Sequence, residues 1–408
     1  MKAGKLLPVD TGGKIRSYNL LRCLAANHSV TLLSYYGGLR DVKYEAAIAK
    51  EFPGASTIHT AALEANTFLQ VADYLRCLLQ SAPYAVSKFT RSSVRAAVAA
   101  MISKGAFDIA VCDFLSASLN FPDRANTPCV LFQHNVESSL WSRMAKTETN
   151  PLKKLSFSVE SAKMRRYESK ALKKFYHIIA VSEQDRRQMR ELDPEAEISV
   201  VPTGVDITAF PVAASSSADP PRIVFTGSMD WEPNIDAAVH FCRDIWPRIL
   251  KEFPQAIFQI VGRNPHAKVQ RLASSSIQVI GTVPSVAPYL ACATVVVVPL
   301  RIGGGTRLKI FEALATGKAM VSTSIGAEGL DVQSGRDLIL ADAPDAFAEA
   351  VLLLLRESSL RRRYEESATR LAAQYDWSRV SARFVEVLQT TIQNAAQAVT
   401  RSTVPVQP

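Results

Sequence analysis

A glycine-rich segment in the C-terminal half of the chain combines residue types that suit binding of a phosphate group. Its predicted ligand-binding residues, in chain order, are Gly303, Gly304, Gly305, Thr306, Arg307, Leu308 and Lys309. The segment follows the apolar run Val295–Pro299, a predicted buried strand, and leads into a predicted helix over Arg307–Thr316. Glycines let backbone N–H groups approach a ligand closely, and a helix N-terminus carries partial positive charge. Two cations in the first helical turn oppose the helix dipole, and a bound diphosphate would relieve that repulsion.

Glu312 lies further along the same predicted helix. A carboxylate can accept hydrogen bonds from two vicinal hydroxyls, such as those of a ribose. The simpler interpretation is a flexible glycine loop followed by an ordinary amphipathic helix. The combination of a strand, two cations and an inward-facing carboxylate favours a phosphate–sugar site over that alternative.

Two series of short apolar runs alternate with helical patterns such as Ile235–Lys251. The runs are continuously apolar, so both faces of each strand are expected to be covered. Strands that alternate with helices predict an α/β fold of parallel, doubly wound sheets, with ligands bound at the carboxyl ends of the strands. The predicted strands are Val30–Leu33, Ile109–Cys112, Cys129–Phe132, His177–Val181 and Ile198–Val201, then Ile223–Thr226, Ile257–Val261, Ile277–Ile280, Val295–Pro299, Ala319–Ser322 and Leu338–Leu340.

A stretch rich in serine, alanine and proline, Pro211–Pro221, separates the two series and is typical of a linker or exposed loop. We therefore predict two Rossmann-like domains, the first over residues 1–205 and the second over residues 206–376. A final helical pattern covers residues 377–395, and a disordered tail is expected over residues 396–408.

Composition excludes several classes of protein. The 408 residues carry a modest net charge of +9, and no apolar run approaches the length needed to span a bilayer. We expect no signal peptide, six reduced cysteines and a cytoplasmic protein. Charge is concentrated between Lys146 and Lys174, where nine lysines or arginines face three glutamates, a local net charge of +6. This segment is either a solvated helix face or a surface for an anionic membrane.

Several segments together resemble family 4 retaining glycosyltransferases, which have the GT-B fold of two facing Rossmann-like domains and a C-terminal crossover helix. The likeness runs from about Pro8 to Leu388. It is closest to a bacterial subgroup of exopolysaccharide and cell-envelope gene clusters. Besides the glycine-rich segment, the matching stretches are Asp10–Arg16, Ala180–Glu183, Val201–Asp206 and Phe225–Asn234.

The resemblance implies transfer of a hexose from a nucleoside diphosphate sugar to a hydroxyl, with retention of configuration and without a metal ion. It adds Gly12 and Gly13 as a loop that closes on the diphosphate, and Gly227 and Val283 as further donor contacts. His134, after a predicted strand, is implied to lie beside the reaction centre as a catalytic residue with Arg307, Lys309 and Glu312. Glu137 is a weaker possibility, since it can equally cap the next helix.

The chain departs from the family pattern at three places. Gly304 occupies the position of the first glutamate in the family's Glu-x7-Glu motif. The family's cations after the glycine turn are missing near Ser228 and Pro233, so Arg307 and Lys309 are the expected substitutes. Only Met1–Lys5 precede Leu6, so most of the family's first strand is expected to be missing.

Two other functions stay open. A sugar-nucleotide epimerase shares the fold but needs acidic residues poised for elimination, and a non-catalytic sugar-nucleotide-binding protein would explain the missing glutamate and cations. The expected partners are a nucleotide-sugar donor and a glycan or lipid-linked acceptor, with no nucleic acid. Apolar residues over Phe68–Phe89, together with the basic segment, suggest peripheral contact with the inner face of the cell membrane, or else simple helix packing.

Overall fold

The structure is a computed structural model, and it describes residues 1–60, 77, 80–148, 150–212, 220–302 and 308–403. The described chain divides into two compact units. The first comprises Met1–Pro202 and Ser381–Pro408, and the second comprises Thr203–Val380.

The first unit is built on a parallel sheet, seven-stranded within the described residues, in the order β3-β2-β1-β4-β5-β6-β7. Its strands β1 to β7 are Lys2–Ala3, Leu33–Tyr36, Ser56–His59, Ala110–Asp113, Cys129–Phe132, His177–Ala180 and Ile198–Val200. Its helices α1 to α7 are Gly12–Ala25, Val42–Glu51, Tyr84–Ser87, Ser92–Ser103, Glu137–Thr147, Pro151–Lys174 and Glu183–Leu192, and a 3-10 helix spans Leu115–Asn120.

The second unit is built on a parallel sheet, six-stranded within the described residues, in the order β10-β9-β8-β11-β12-β13. Strands β8 to β13 are Arg222–Thr226, Ile257–Val261, Ile277–Gly281, Val295–Val298, Met320–Ser322 and Ile339–Leu340. Helices α8 to α14 are Glu232–His240, Trp246–Glu252, Ala267–Gln270, Ala287–Ala291, Leu308–Ala315, Pro344–Arg356 and Ser358–Ala372, with a π-helical turn at Phe241–Ile245. The last helix, α15, is Trp377–Thr403.

The predicted fold class is confirmed: both sheets are parallel, and their strands alternate with helices. The all-valine strand β11 is buried at every position, as its continuous apolar pattern requires. Local signals explain the helix starts. For example, the Ser182 hydroxyl accepts a hydrogen bond from the Asp185 N–H at the start of α7, and the Asn150 side chain does the same for the first turn of α6.

The prediction placed one strand wrongly and missed two. The strand expected at Val30–Leu33 is instead Leu33–Tyr36. This strand is buried, but its hydroxyl-bearing side chains interrupt the apolar pattern that a buried strand usually shows. The Ser34 hydroxyl has a buried partner, since its Oγ lies 2.7 Å from Tyr44 Oη. Strand β3 was missed because it is a polar strand at the edge of the sheet, and its four residues are partly or fully exposed. Strand β1 was missed because it has only two residues, although it lies between β2 and β4.

The boundary between the units falls before Thr203, three residues earlier than the sequence suggested. Residues just after it are tied to the start of α15, since Val205 N–H donates to the Tyr375 carbonyl at 2.8 Å and forms a bridge with Asp376. The helix expected to end at residue 395 continues to Thr403, so the start of the expected disordered tail is helical. Residues 404–408 and most of the predicted linker lie outside the described residues.

No helix within the described residues is long and apolar enough to cross a membrane. All six cysteines are described, and none of them forms a disulfide bond; Cys77, Cys112 and Cys242 are buried, and Cys292 is exposed.

Candidate active site

The centre of the glycine-rich segment lies outside the described residues, so five predicted donor contacts stay predictions: Gly303, Gly304, Gly305, Thr306 and Arg307. Both flanks of the segment are described. Leu308 is the first residue of α12 and is half-buried, and Lys309 and Glu312 follow on the same helix.

Helix α8 holds both flanks of the glycine-rich segment. On the N-terminal side, the Arg301 guanidinium donates two hydrogen bonds to the carboxylate of Asp236, the shorter at 2.5 Å. On the C-terminal side, Lys309 Nζ donates to Asn234 Oδ1 at 2.7 Å and lies 4.4 Å from the ring centroid of Phe225. The described residues Arg301 and Lys309 therefore both contact side chains in the first turns of α8.

Gly227, the first residue after β8, is a point of very close approach. A Cβ atom at Gly227 would lie 2.9 Å from Lys309 Nζ and 2.8 Å from Asn234 Nδ2. A Cβ atom at Gly262, which follows β9, would lie only 1.6 Å from the Gly227 carbonyl oxygen. The lysine thus reaches the glycine turn itself, at a position where the lack of a side chain lets the ammonium approach the backbone closely.

Lys309 and Glu312 are three residues apart and therefore share one face of α12. Burial raises the pKa of the Glu312 carboxyl to about 7, against the opposing charge of Lys309. Burial makes this carboxyl costly to ionise, and hydrogen bonds donated by two hydroxyls would stabilise its ionised form.

One cation near the glycine turn was missed in the sequence. Arg263 Nε donates a hydrogen bond to Ser228 Oγ, and the Arg263 carbonyl accepts from the Met229 N–H at 2.9 Å. The signal was present: Arg263 stands directly after Gly262 at the carboxyl end of β9, the neighbour of β8. Val283, the other predicted contact here, is half-buried and packs against the core of this unit, two residues after β10.

His134 belongs to a buried polar cluster of the first unit that joins four separate segments. Its Nε2 lies 2.8 Å from Asp113 Oδ1. The other oxygen of Asp113 accepts hydrogen bonds from Lys2 Nζ at 2.9 Å and from Ser17 Oγ at 2.6 Å. Lys2, Ser17 and Asp113 were not found from the sequence, because the partners of Asp113 lie 96 and 111 positions away in the chain, on α1 and β1.

The predicted Gly12 and Gly13 form the start of α1, and Gly13 lies against the imidazole. A Cβ atom at Gly13 would be 3.4 Å from His134 Nδ1. The imidazole also has apolar neighbours. The centroids of the Phe132 and Phe114 rings lie 4.7 and 5.2 Å from its own centroid. Burial lowers the pKa of His134 to about 4, despite the neighbouring carboxylate, so the imidazole is neutral near pH 7.

Helix α5, which follows His134, is capped by Glu168 and not by Glu137. The Glu168 carboxylate accepts from the backbone N–H groups of Glu137 at 2.7 Å and Ser138 at 2.9 Å, and from Gln133 Nε2 at 3.0 Å. Burial, with the nearby charge of Glu168, raises the pKa of Glu137 to about 7. Glu168, on α6, therefore fixes the loop that carries His134.

Two family models match consecutive parts of the chain. Residues 11–209 match the model described as Glycosyltransferase Family 4, and residues 220–357 match the model described as Glycosyl transferases group 1. Together the two models match most of the chain, which therefore carries one glycosyltransferase domain of each description. A curated relative, the phosphatidyl-myo-inositol mannosyltransferase of Mycolicibacterium smegmatis, is 29% identical over 259 residues, which are 60% of this chain and 64% of that protein. The chain thus covers less than two thirds of this relative's length.

Solved structures of other glycosyltransferases share the fold of this chain. Sucrose-phosphate synthase from Thermosynechococcus elongatus superposes with a TM-score of 0.67 at 16% identity, covering 94% of both chains. Anabaena HepE in complex with UDP superposes with a TM-score of 0.66 at 12% identity, covering 93% of this chain and 96% of that one. At these identities the likeness establishes the GT-B fold, as the sequence predicted.

Proposed function

We propose that the chain transfers a hexose from a nucleoside diphosphate sugar to a hydroxyl acceptor, with retention of configuration, in polysaccharide or cell-envelope glycan synthesis. The observation that carries the proposal is the placement of Lys309. Its ammonium reaches the Gly227 turn from α12, one helical turn from Glu312. A diphosphate at the turn would meet the cation while the ribose hydroxyls meet the carboxylate.

The chemistry requires stabilisation of a diphosphate leaving group. Lys309 reaches Gly227, and Arg263 contacts Ser228, the next residue along the turn; pre-positioned cations stabilise developing negative charge. We propose that they do so without a metal ion, with Arg307 and the backbone N–H groups of the glycine-rich segment as further contributors. His134, on the first unit, is the proposed contact for a hydroxyl of the sugar or acceptor. The relative bound to UDP is consistent with a nucleoside diphosphate donor.

Release of nucleotide from a panel of nucleoside diphosphate sugars tests this proposal and separates it from its alternatives. A glycosyltransferase releases nucleotide slowly with water as acceptor and faster with a productive hydroxyl acceptor. An epimerase alters the sugar without release, and a binding protein does neither. Activity that survives EDTA supports the metal-independent mechanism, and activity that requires an added divalent cation contradicts it.

A lipid-linked acceptor, reached from an anionic membrane surface, is the second part of the proposal. The first turns of α6 expose two leucines, with the Leu152 side chain 80% and the Leu155 side chain 64% accessible, beside the exposed Lys153 and Lys154. Apolar residues that enter the interface, flanked by lysines that meet acidic headgroups, are typical of peripheral membrane helices. The relative named phosphatidyl-myo-inositol mannosyltransferase supports a lipid acceptor. Half of the other suggested membrane stretch, Phe68–Phe89, lies outside the described residues, namely residues 68–76, 78 and 79.

Flotation with vesicles that contain acidic phospholipid tests the membrane contact. We expect binding at low salt, weaker binding at high salt, and loss of binding in the double variant Leu152→Glu/Leu155→Glu. The matched control is Leu39→Glu, since Leu39 is 79% exposed on the same unit but lies outside α6. Equal loss in the control, or no flotation of the wild type, overturns the membrane assignment and leaves the donor site unaffected.

A further inference from the structure

Asp113, the last residue of β4, has both carboxylate oxygens occupied by buried partners. Oδ2 accepts hydrogen bonds from Lys2 and Ser17, and Oδ1 lies 2.8 Å from His134 Nε2. Both atoms are buried, and among the described residues neither forms a hydrogen bond of regular geometry, so this 2.8 Å contact is the polar approach that each of them makes. The contact with Asp113 is therefore what determines the state of this imidazole nitrogen.

The contact fixes the tautomer of His134. A carboxylate can only accept hydrogen bonds, and the pKa of Asp113 is held well below its usual range, because Lys2 and His134 outweigh the effect of burial. The buried imidazole is neutral near pH 7 and has one proton to place. That proton belongs on Nε2, facing Asp113, which leaves Nδ1 as an unprotonated acceptor.

The free nitrogen faces the start of α1. Gly13, the second residue of that helix, lies close enough that its missing Cβ would be 3.4 Å from Nδ1. The residue before the helix, Thr11, gives no side-chain cap to the first turn. A ligand at this helix N-terminus would therefore present its hydroxyls to a nitrogen that can accept their hydrogen bonds.

Backbone strain beside Asp113 points to the same place. Phe114 has a φ of 82°, a left-handed conformation that is costly for a side chain of this size. This conformation is held by a hydrogen bond of 3.0 Å from the Phe114 N–H to the Phe132 carbonyl, and the Phe114 ring lies against His134. The His134 imidazole is therefore confined by phenylalanine rings on one side and by Asp113 on another.

We propose that Asp113 is a positioning residue, which acts through His134 by fixing its orientation and its Nε2–H tautomer, so that Nδ1 accepts a hydrogen bond from a ligand hydroxyl. Lys2 and Ser17 hold Asp113 for this purpose. The identity of the hydroxyl rests on the proposed transfer reaction, but the tautomer does not.

Nitrogen NMR of histidine-labelled protein tests the tautomer directly. The chain has six histidines, and the His134 signals are those that vanish in His134→Gln. In the wild type we expect a protonated Nε2 and an unprotonated Nδ1 at pH 7. In Asp113→Asn we expect a change of these two signals, because the amide can donate as well as accept. Protonation of Nδ1 in the wild type overturns the inference, even if the variant fails to fold.

Kinetics separate positioning from a merely structural role. We expect Asp113→Asn to lower the turnover of nucleotide release roughly 10- to 100-fold, with the dissociation constant of the nucleotide unchanged. The double variant with His134→Gln should be no slower than His134→Gln alone, because Asp113 acts only through the imidazole. The matched control is Asp244→Asn in the second unit, whose carboxylate also contacts a histidine, His240 Nδ1, at 2.7 Å; its turnover should not change.

The outcomes are distinguishable from failure of the proposed function. Effects of Asp113→Asn and His134→Gln that multiply, or an unchanged turnover in a folded Asp113→Asn, overturn the positioning role. If the wild type releases nucleotide from no donor, the proposed function fails while the NMR result still decides the Asp113–His134 arrangement. If Asp113→Asn weakens binding of the nucleotide sugar but not of the nucleotide, the hydroxyl belongs to the donor sugar. If it slows only transfer to an added acceptor, the hydroxyl belongs to the acceptor.

Discussion

The two units place polar groups at the carboxyl ends of their strands in opposite ways. In the second unit, Lys309 and Glu312 share one turn of helix and are half-buried, and Lys309 contacts the turn after the adjacent β8. In the first unit, His134 and Asp113 lie in a buried cluster formed by several segments. Their side chains are only 11% and 13% exposed, respectively. A half-exposed cation can meet a charged ligand at little cost, whereas a buried imidazole is fixed in advance by its own partners.

Glycine substitutions give the largest expected contrast between the two units. Gly262→Ala would place a methyl group 1.6 Å from a backbone oxygen, which cannot move without separating the ends of β8 and β9. We expect a loss of unfolding free energy of roughly 3–5 kcal/mol, seen as a fall in Tm of roughly 10 °C or more. Thermal and urea denaturation measure it.

Gly13→Ala is the matched substitution in the first unit. Among the described residues, its new methyl group meets only the His134 imidazole, at the ordinary contact distances of 3.4 Å to Nδ1 and 3.9 Å to Cε1. The Tm should stay within a few degrees of the wild type, while turnover falls because the methyl group blocks the nitrogen. A variant at Gly13 as unstable as the one at Gly262 would show that the α1 start is closed to ligands.

The pH dependence of donor binding sharpens the role of Glu312. Its carboxyl, with a pKa of about 7 in the empty protein, accepts hydrogen bonds from ribose hydroxyls only when ionised. As the pH falls from 8 to 6 the ionised fraction drops, and donor affinity should fall by roughly tenfold. Calorimetric titration at several pH values measures this change.

Glu312→Gln is the control for that titration, because the nucleotide phosphates also change charge in this range. The variant should bind less tightly at pH 8 and lose the part of the pH dependence that the carboxyl supplies. An identical pH profile in wild type and variant would remove Glu312 from the ribose site.

The smallest expected effect is that of Arg301→Ala. The Arg301–Asp236 pair is partly exposed, with side chains 46% and 20% accessible, and such pairs contribute under about 1 kcal/mol to stability. We expect a Tm close to that of the wild type and donor affinity reduced less than by loss of Lys309. Equal losses of affinity would mean that the Arg301–Asp236 contact matters as much for donor binding as the charge of Lys309.

Sequence reasoning succeeded where one continuous stretch carried the signal. The buried strand β11 and helix α12 follow one another in the chain, so the helix shared by Lys309 and Glu312 was predicted before its geometry was known, and the roles of the two side chains stay predictions. The parallel α/β fold followed from the apolar runs for the same reason. The cations expected from the family after the glycine turn are replaced here by Ser228 and Pro233, which directed attention to Lys309. Lys309 contacts Asn234, one residue after Pro233.

What the sequence did not predict depends on contacts between distant segments. Asp113 gives no sign that Lys2, 111 positions away, will neutralise it. In the sequence, Arg263 is only a residue that follows a strand, and its place near the glycine turn becomes apparent once β9 is paired with β8. Strand β3 lies at the edge of the sheet, where it is paired on one side only and partly exposed, so it can be polar and shows no apolar pattern. Strand β1 has too few residues to show any pattern.

The central claim is that Lys309 and the Gly227 turn form the diphosphate site of a nucleotide-sugar donor. Thermal shift with UDP-, GDP-, dTDP- and ADP-sugars, followed by titration of the best ligand, tests it on wild type, Lys309→Ala and the control Lys251→Ala, an exposed lysine of α9. The account predicts a stabilising donor whose dissociation constant rises roughly 10- to 100-fold in Lys309→Ala, unchanged in the control, with no difference for the nucleoside lacking phosphates. A donor that binds wild type and Lys309→Ala equally well would contradict it.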